Sequence, residues 1–245
     1  MKMKKSNRIL LAVGAVPVIV VVSAIIIGRS FLPNETIKTI DASSAAYGTE
    51  GVKSFDIEGF SWISIKGNWT VNVVQKDGYK VEINAPEEIL EKIIVEKRDN
   101  TLVLDKGQAA IDSNGNISLE ATITLPSVSK IEINGVTNLD MSGIMADSLA
   151  IETQGVTRIV GNGGKIRDLS LKGKGVSTVD LNGISSTNAG VDYEGTYTIN
   201  LMMDGGRLTG RLDGVGKLKY SGNITSNEVR VHGPANSVGS SGIVP

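Results

Sequence analysis

Few residues in this chain are of the types that carry out catalysis or bind metals, and their spacing favours neither activity. Cysteine is absent, and His232 is the single histidine among 245 residues. No nucleophile or orienting acid stands near it in the sequence, so we interpret it as a surface or end-capping residue. Segment 112–116 begins like a calcium loop, but its twelfth position is Ile123 instead of a bidentate glutamate. We therefore predict no catalytic residue, no cofactor and no metal site.

Two small groups of residues are weak candidates for a binding surface. Trp62 and Trp69 stand on either side of a Gly-Asn pair that we predict to be a turn, and together they could form a sugar-stacking patch, with core packing as the alternative. The second group lies where the glycine spacing described next becomes irregular, and it consists of Met202, Met203, Arg207 and Arg211.

Five glycines recur through the second half of the chain at intervals of 20, 20, 20 and 19 residues: Gly135, Gly155, Gly175, Gly195 and Gly214. Apolar and polar positions alternate on both sides of each glycine, as in half-buried strands. A unit of this length cannot bury its apolar face alone, so we predict that the units stack as coils with the glycines at structural corners. This pattern predicts an all-β, single-stranded parallel β-helix, and handedness rules favour a right-handed one. An antiparallel meander or sandwich is the competing architecture.

Residues 51–126, before the regular units, have a less regular pattern. Alternating segments separated by Gly67-Asn68 and Asp77-Gly78 predict strands joined by hairpin turns. Residues 86–93 form the one good candidate for a short helix, with proline in the first turn and acids behind it. We predict a domain over 51–245, with an irregular β part at 51–126 and regular 20-residue units at 127–236.

The N-terminus carries an export signal. Four basic residues in the first eight are followed by Ile9 to Gly28, which contain no charge. As a helix this stretch is ~30 Å long, which matches a bilayer core. We predict a signal-anchor within residues 1–28, a linker over 29–50 and an exported body. A signal peptide cleaved after Val22-Ser23-Ala24 is the alternative, which would leave a periplasmic or extracellular protein.

Several segments resemble one known family. They are Phe60 to Ile63, Tyr79 to Ile83, the 86–93 helix, Leu125 to Val128 and the serial Gly-Val-Thr/Ser corners. Over roughly residues 55–240 the chain is similar to the family described as "putative auto-transporter adhesin, head GIN domain". The resemblance implies an exported bacterial β-helical domain with no catalytic residues to carry over. An autotransporter needs its own membrane barrel, and the 12 residues after Gly233 are too few for one, so we expect another export route.

Composition narrows the function classes further. With 25 basic and 26 acidic residues, the chain has no global field for nucleic acid. We predict a non-enzymatic envelope protein whose rigid β-helix binds a protein or glycan partner, with homo-oligomers forming through the helix ends. One alternative is a carbohydrate-active enzyme, for which Asp140 and Asp180 are the best carboxylate pair, although Val160 stands between them in the repeat. The other alternative is a structural or envelope-sensing module.

Overall fold

The computed structural model describes residues 50–107 and 119–239, with side chains described as far as residue 234. The predicted N-terminal signal segment, nearly all of the predicted linker and the loop-like segment 112–116 lie outside these ranges. Within them, no helix is long and apolar enough to cross a membrane.

Eight strands and one helical turn make up the described chain. The strands are β1 (Glu50–Phe55), β2 (Trp62–Gln75), β3 (Lys80–Pro86), β4 (Ile94–Arg98), β5 (Thr101–Asp105), β6 (Leu119–Leu125), β7 (Lys130–His232) and β8 (Ala235–Gly239). The helical turn α1 (Glu87–Leu90) follows β3 and buries Ile89 and Leu90. It is shorter than the helix predicted over 86–93, and residues 91–93 form a turn that leads into β4.

All eight strands belong to one mixed sheet. The order is β1-β3-β6-β2-β5-β4, and β7 pairs with β2 and β8. β2 pairs in parallel with β5, β6 and β7, whereas β1-β3, β3-β6 and β4-β5 are antiparallel. The single-stranded parallel β-helix predicted from the glycine spacing is therefore wrong: the sheet is a curled half-barrel that mixes both strand directions. The spacing identified equivalent positions, but pairing direction depends on contacts between segments that are distant in sequence.

The two predicted hairpins at the start of the domain are also wrong. β2 runs without interruption through Gly67 and Asn68, because Gly67 pairs with Gly135 in the parallel register with β7. Gly78 does lie in a turn with φ +85°, but the strands that it joins are not neighbours, since β6 lies between β3 and β2. Turn signals located the bends of this chain without identifying the partners of its strands.

β7 extends over 103 residues and bends at glycines that lie against one another. Gly155 has φ +122°, and a Cβ atom placed on it would stand 2.1 Å from the carbonyl oxygen of Gly135. The same contact relates each of these glycines to the one before it: Gly135 to Gly67, Gly175 to Gly155, Gly195 to Gly175, Gly214 to Gly195 and Gly233 to Gly214. We call this the glycine ladder. Any side chain at such a position would collide with the backbone of the preceding level.

Apolar side chains from alternate positions fill the interior. In β2, Ile63, Ile65, Val71 and Val73 are buried, and in β7 the buried positions continue level by level at the same place relative to the glycine. For example, Ile131, Ile151, Leu171 and Val191 each precede their glycine by four residues and are inaccessible to solvent. The alternation therefore sends the residues between them to the outer face, where the candidate site lies.

Candidate binding groove

An open groove of about 970 Å³ lies on the outer face, on the N-terminal side of the glycine ladder. Its walls come from β2 and β7 and span six levels, each of which contributes the side chains three and one residues before its glycine. These side chains are Ser64 and Lys66, Glu132 and Asn134, Glu152 and Gln154, Lys172 and Lys174, Asp192 and Glu194, and Arg211 and Asp213. We refer to this set as the groove.

The groove's charged side chains are held in rows by the strands beneath them. Each pair flanks an inward-facing residue, such as Ile133, Thr153 or Tyr193, so the backbone alternation fixes both walls at once. Neighbouring levels lie ~4.8 Å apart, as paired strands do. The result is a set of polar groups at regular intervals on a backbone that is hydrogen-bonded along its length.

At one end of the groove, Lys130 joins two levels. Its Nζ lies beside the carboxylate of Glu132 and 3.4 Å from Oε2 of Glu152. The hydrogen bond with Glu132 raises the pKa of Lys130, and the charge of Glu152 adds to this effect. The same Nζ lies 5.6 Å from the centre of the Trp62 ring, close enough for a cation–π contact. Lys130 therefore offsets only part of the negative charge of these two carboxylates within the chain.

The middle of the groove is only partly neutralised. Lys174 Nζ lies 3.0 Å from Glu194 Oε2, and the Arg211 backbone N–H donates to Asp192 Oδ1 at 3.0 Å. Lys172 is exposed, and no acidic oxygen of the described residues lies within 4.0 Å of its Nζ. The groove therefore presents a cation at its centre that is available to an incoming anionic group.

Beneath the groove, two tyrosines fill space that two glycines leave open. The Tyr193 ring lies against Gly173, and the Tyr197 ring lies against Gly216; the two rings are 6.0 Å apart between centres. Neither buried hydroxyl has a hydrogen-bond partner of good geometry among the described residues. Burial raises the pKa of Tyr193 to about 12, and the nearby hydroxyls of Thr153 and Ser177 act in the opposite direction. Thr153 thus belongs to an interior polar cluster under the groove.

An exposed apolar column borders the groove on the other side of the glycine ladder. Val136, Val156, Val176 and Val215 each follow their glycine directly and are 48–54% exposed. Exposed valines scattered singly are ordinary, but four on one edge of a groove form an apolar border, which Thr196 interrupts between Val176 and Val215. We refer to these four residues as the valine column. Val directly after four of the ladder glycines is visible in the sequence, but the sequence alone does not show that these valines share one exposed edge.

The two tryptophans proposed as a sugar-binding patch are placed differently. Trp62 is 43% exposed at the start of β2, beside the groove. Trp69 is fully buried, and its Nε1–H donates to the backbone carbonyl of Lys66 at 2.8 Å. Only Trp62 can therefore contact a ligand from outside, and the two rings do not form one platform.

The other sequence candidates separate into groove, surface and core. Arg211 lines the groove, where its Nε lies 2.7 Å from Asp213 Oδ2. Arg207 is exposed away from it, and its backbone N–H donates to Asn188 Oδ1 at 3.1 Å. Met202 is half-buried, with Sδ 3.5 Å from the Ser221 hydroxyl, and Met203 is buried in the core. The structure therefore brings only one of these four residues to the groove.

Two of the residues weighed for catalysis, Asp180 and His232, make structural contacts, whereas Asp140 is exposed on the surface. Asp180 accepts hydrogen bonds from the backbone and side chain of Asn182, at 3.2 and 3.0 Å. His232 Nδ1 lies 3.4 Å from Asp213 Oδ1, next to the end of the groove. Across residues 50–107 and 119–239, no three His, Cys, Asp or Glu side chains converge in a way that could hold a metal ion.

Comparison with models of protein families identifies the family of this chain. The model of the family described as "Putative auto-transporter adhesin, head GIN domain" matches residues 59–187, which is more than half of the 245 residues. The chain belongs to this family. The head GIN match covers β2 to β6 and the first levels of β7, including four of the six levels of the groove.

A solved structure resembles this head GIN chain in fold. A protein described as a putative adhesin from Bacteroides fragilis aligns with a TM-score of 0.61 and 18% identity, over 78% of this chain and 97% of that one. A putative adhesin and a putative lipid binding protein, both from Parabacteroides distasonis, align with TM-scores of 0.47 and 0.44 and identities of 13% and 11%, each over 78% of this chain and 97% of its own. Comparison with curated proteins finds no match. At these identities, the first structure supports the fold alone.

Proposed function

We propose that this chain is a non-enzymatic binding protein that acts outside the cell and holds its partner against the groove. The observation that carries the proposal is the groove itself: an open surface with charges of both signs at regular intervals along six levels. Small-molecule sites are usually enclosed and mostly apolar, with few polar groups. An open charged groove with an apolar border instead suits an extended macromolecular surface, a protein or a glycan.

The names of the family and of its structural relatives support this class of function. The family description and the Bacteroides fragilis protein both carry the word adhesin. Adhesion requires a surface that is rigid and displayed, and a hydrogen-bonded β-sheet with a packed interior supplies the rigidity. The alternative function is that of a carbohydrate-active enzyme. Asp180 contacts Asn182, and His232 contacts Asp213, and neither contact favours this alternative.

A place outside the cell is the second part of the proposal. Membership of an adhesin-like family suggests an exported or surface protein. The basic residues before the uncharged stretch 9–28 support a signal-anchor that leaves the described domain on the exported side. Mass spectrometry of the mature N-terminus tests this: an intact residue 1 is expected, and a start near Ile25 would replace the anchor with a cleaved signal.

The binding function is tested by displaying the full chain on a bacterium that does not adhere. Adhesion is measured to a glycan array, to immobilised proteins of host surfaces and to cells that display the same chain. We expect adhesion to at least one of these, and we expect Lys172→Glu to weaken it because this change inverts the free charge at the groove's centre. Asp77→Arg, in the turn after β2, is the control for a charge change elsewhere.

Two results would overturn the proposal. Absence of adhesion to all three surfaces, with the folded chain detected on the cells, would remove the binding function. Release of reducing sugar from any polysaccharide by the purified chain, abolished by substituting a carboxylate of the groove, would establish the enzymatic alternative instead.

A further inference from the structure

We infer that the groove binds the same groove on a second copy of this chain, with the two copies antiparallel about a two-fold axis between the levels of Lys172 and Asp192. This inference rests on the proposed function and names the partner of its site. The chain would then adhere to itself, so that two cells, or two molecules on one cell, are joined through identical surfaces. Closed symmetric pairing of this kind uses one self-complementary patch on each subunit.

The order of charges along the outer wall of the groove carries the inference. The residues three positions before successive glycines of the ladder are Glu132, Glu152, Lys172, Asp192 and Arg211 in the groove, and Arg230 one level beyond it. The glycines at Gly135, Gly155, Gly175, Gly195, Gly214 and Gly233 lie directly on one another, which fixes these six side chains in one column. The column therefore has the signs minus, minus, plus, minus, plus, plus.

Reversing this order inverts every sign. A two-fold axis between Lys172 and Asp192 places Lys172 opposite Asp192 of the second copy, Glu152 opposite Arg211 and Glu132 opposite Arg230. Because the operation is symmetric, each of these three combinations occurs twice. All six contacts then join opposite charges. A parallel arrangement in the same register would oppose each charge with its own copy and is therefore disfavoured.

The two neighbouring columns obey the same symmetry. In the inner wall of the groove, the axis places Lys174 opposite Glu194 and Gln154 opposite Asp213, with no like charges opposed. In the column that follows the glycines, Val156 lies opposite Val215, and Val176 lies opposite Thr196. The half-exposed valine column would thereby meet apolar or β-branched side chains, which removes apolar surface from water.

Two cations of this column favour a partner surface that carries acidic groups. Lys172 and Arg230 are exposed, and among the described residues neither has an acidic oxygen within 4.0 Å. In the antiparallel pair these residues meet Asp192 and Glu132, respectively. The groove is a shallow hollow of about 970 Å³, and long Lys, Arg and Glu side chains from two copies can reach across it.

The pair Glu152 and Arg211 gives the sharpest test. Within one chain these residues are three levels apart, ~14 Å at the usual strand spacing, so they make no contact with each other. Each has another partner in its own chain, Lys130 for Glu152 and Asp213 for Arg211, and the loss of that contact is the same in single-variant and mixed dimers. Sedimentation velocity of the full chain over a concentration series measures the dissociation constant of the dimer. Glu152→Arg opposes Arg211 of the second copy with arginine, and Arg211→Glu opposes Glu152 with glutamate. Each variant alone should raise the dissociation constant about tenfold or more, since two attractive pairs become repulsive.

Mixing the two variants should restore the association. In a mixed dimer, the two substituted side chains face each other with opposite charges at one end, and the native Arg211 and Glu152 face each other at the other end. We expect its dissociation constant to return to within about threefold of the native value, because both ends again join opposite charges. Raised salt should weaken native and mixed dimers alike. Asp77→Arg, which makes the same charge change in an exposed turn, should leave the dimer unchanged.

The outcomes separate this inference from the proposed function. A native chain that stays monomeric at all concentrations, yet adheres to a glycan or another protein, overturns the self-pairing and leaves the binding function standing. A native dimer that neither single variant weakens places the contact elsewhere, such as the sheet ends, and also overturns the inference. Variants that weaken the dimer but do not recover on mixing contradict the antiparallel two-fold arrangement.

Discussion

Substituting Gly155 by alanine tests the glycine ladder most directly. Its φ of +122° is a conformation that residues with a Cβ rarely adopt, which costs about 1–3 kcal/mol. The added Cβ would stand 2.1 Å from the Gly135 carbonyl oxygen, whereas ordinary contact begins at 3.4 Å, so the two levels must separate locally by about 1.3 Å. Overpacking of this kind costs about 1–3 kcal/mol. Together the two effects predict a loss near 4 kcal/mol.

Gly163→Ala is the matched control in the same strand. Its φ is +66°, and a Cβ there would have no atom within 4 Å, so only the backbone term of about 1–2 kcal/mol applies. For a domain of this size we expect midpoints of thermal unfolding lower by about 8–16 °C for Gly155→Ala and about 2–8 °C for Gly163→Ala. Far-ultraviolet circular dichroism and urea titration measure both. Equal losses in the two variants would refute the argument that close stacking of levels requires glycine.

Three further predictions concern aromatic residues. Trp69→Ala should destabilise the fold by about 3–5 kcal/mol in urea titrations, whereas Trp62→Ala should cost less than about 1 kcal/mol, because only Trp69 is in the core. Tyr193→Phe should leave stability unchanged or raise it by up to about 1 kcal/mol in the same assay, because a buried hydroxyl without a good partner is removed. Stability of the native chain should fall by about 2–3 kcal/mol between pH 10 and 12, and less in Tyr193→Phe, when urea midpoints are compared across pH.

The sign of the alkaline effect follows from the buried phenol. Burial raises the pKa of Tyr193 from its ordinary value of 10.0 to about 12, so the unfolded chain loses this proton first. The stabilisation is therefore fully present below pH 10 and is lost as the pH approaches 12. Burial also raises the pKa of Tyr197, so part of the loss should remain in Tyr193→Phe. If stability depends on pH in Tyr193→Phe as it does in the native chain, the burial of Tyr193 is contradicted. If Trp69→Ala and Trp62→Ala lose equal stability, the burial of Trp69 alone is contradicted.

Much of the local structure could be predicted from the sequence. Alternation located the strand segments around Trp62–Gln75 and Lys80–Pro86, because the period of two is a property of each strand by itself. The helix was expected over 86–93 and contains only Glu87–Leu90, since a single turn with two buried residues lacks the contacts to extend further. The groove was only partly visible: the alternation of apolar and polar positions around each glycine was recognised, but not that the polar positions form one site.

What alternation could not predict was which side chains meet. The predicted turn between Trp62 and Trp69 made them one candidate patch; in the uninterrupted strand β2 their odd separation of seven residues places them on opposite faces. Trp69 shares the inward face with Val71 and Val73, and its Nε1–H donates to the Lys66 carbonyl, which satisfies its polar atom in the core. The bend at Gly67 was taken for a hairpin turn, since the pairing of Gly67 with Gly135 joins residues 68 positions apart.

By itself, the sequence determined the all-β character, the positions where only glycine fits and the order of charges along the outer face, because each depends on residue type and short-range periodicity. The tertiary structure alone decided that parallel and antiparallel strands share one curled sheet, that β6 separates β2 from β3, and that Lys172 stands without an acidic partner among the described residues. These features arise from pairings between segments far apart in the chain. Their free energies depend on the whole packed arrangement, so no local pattern encodes them.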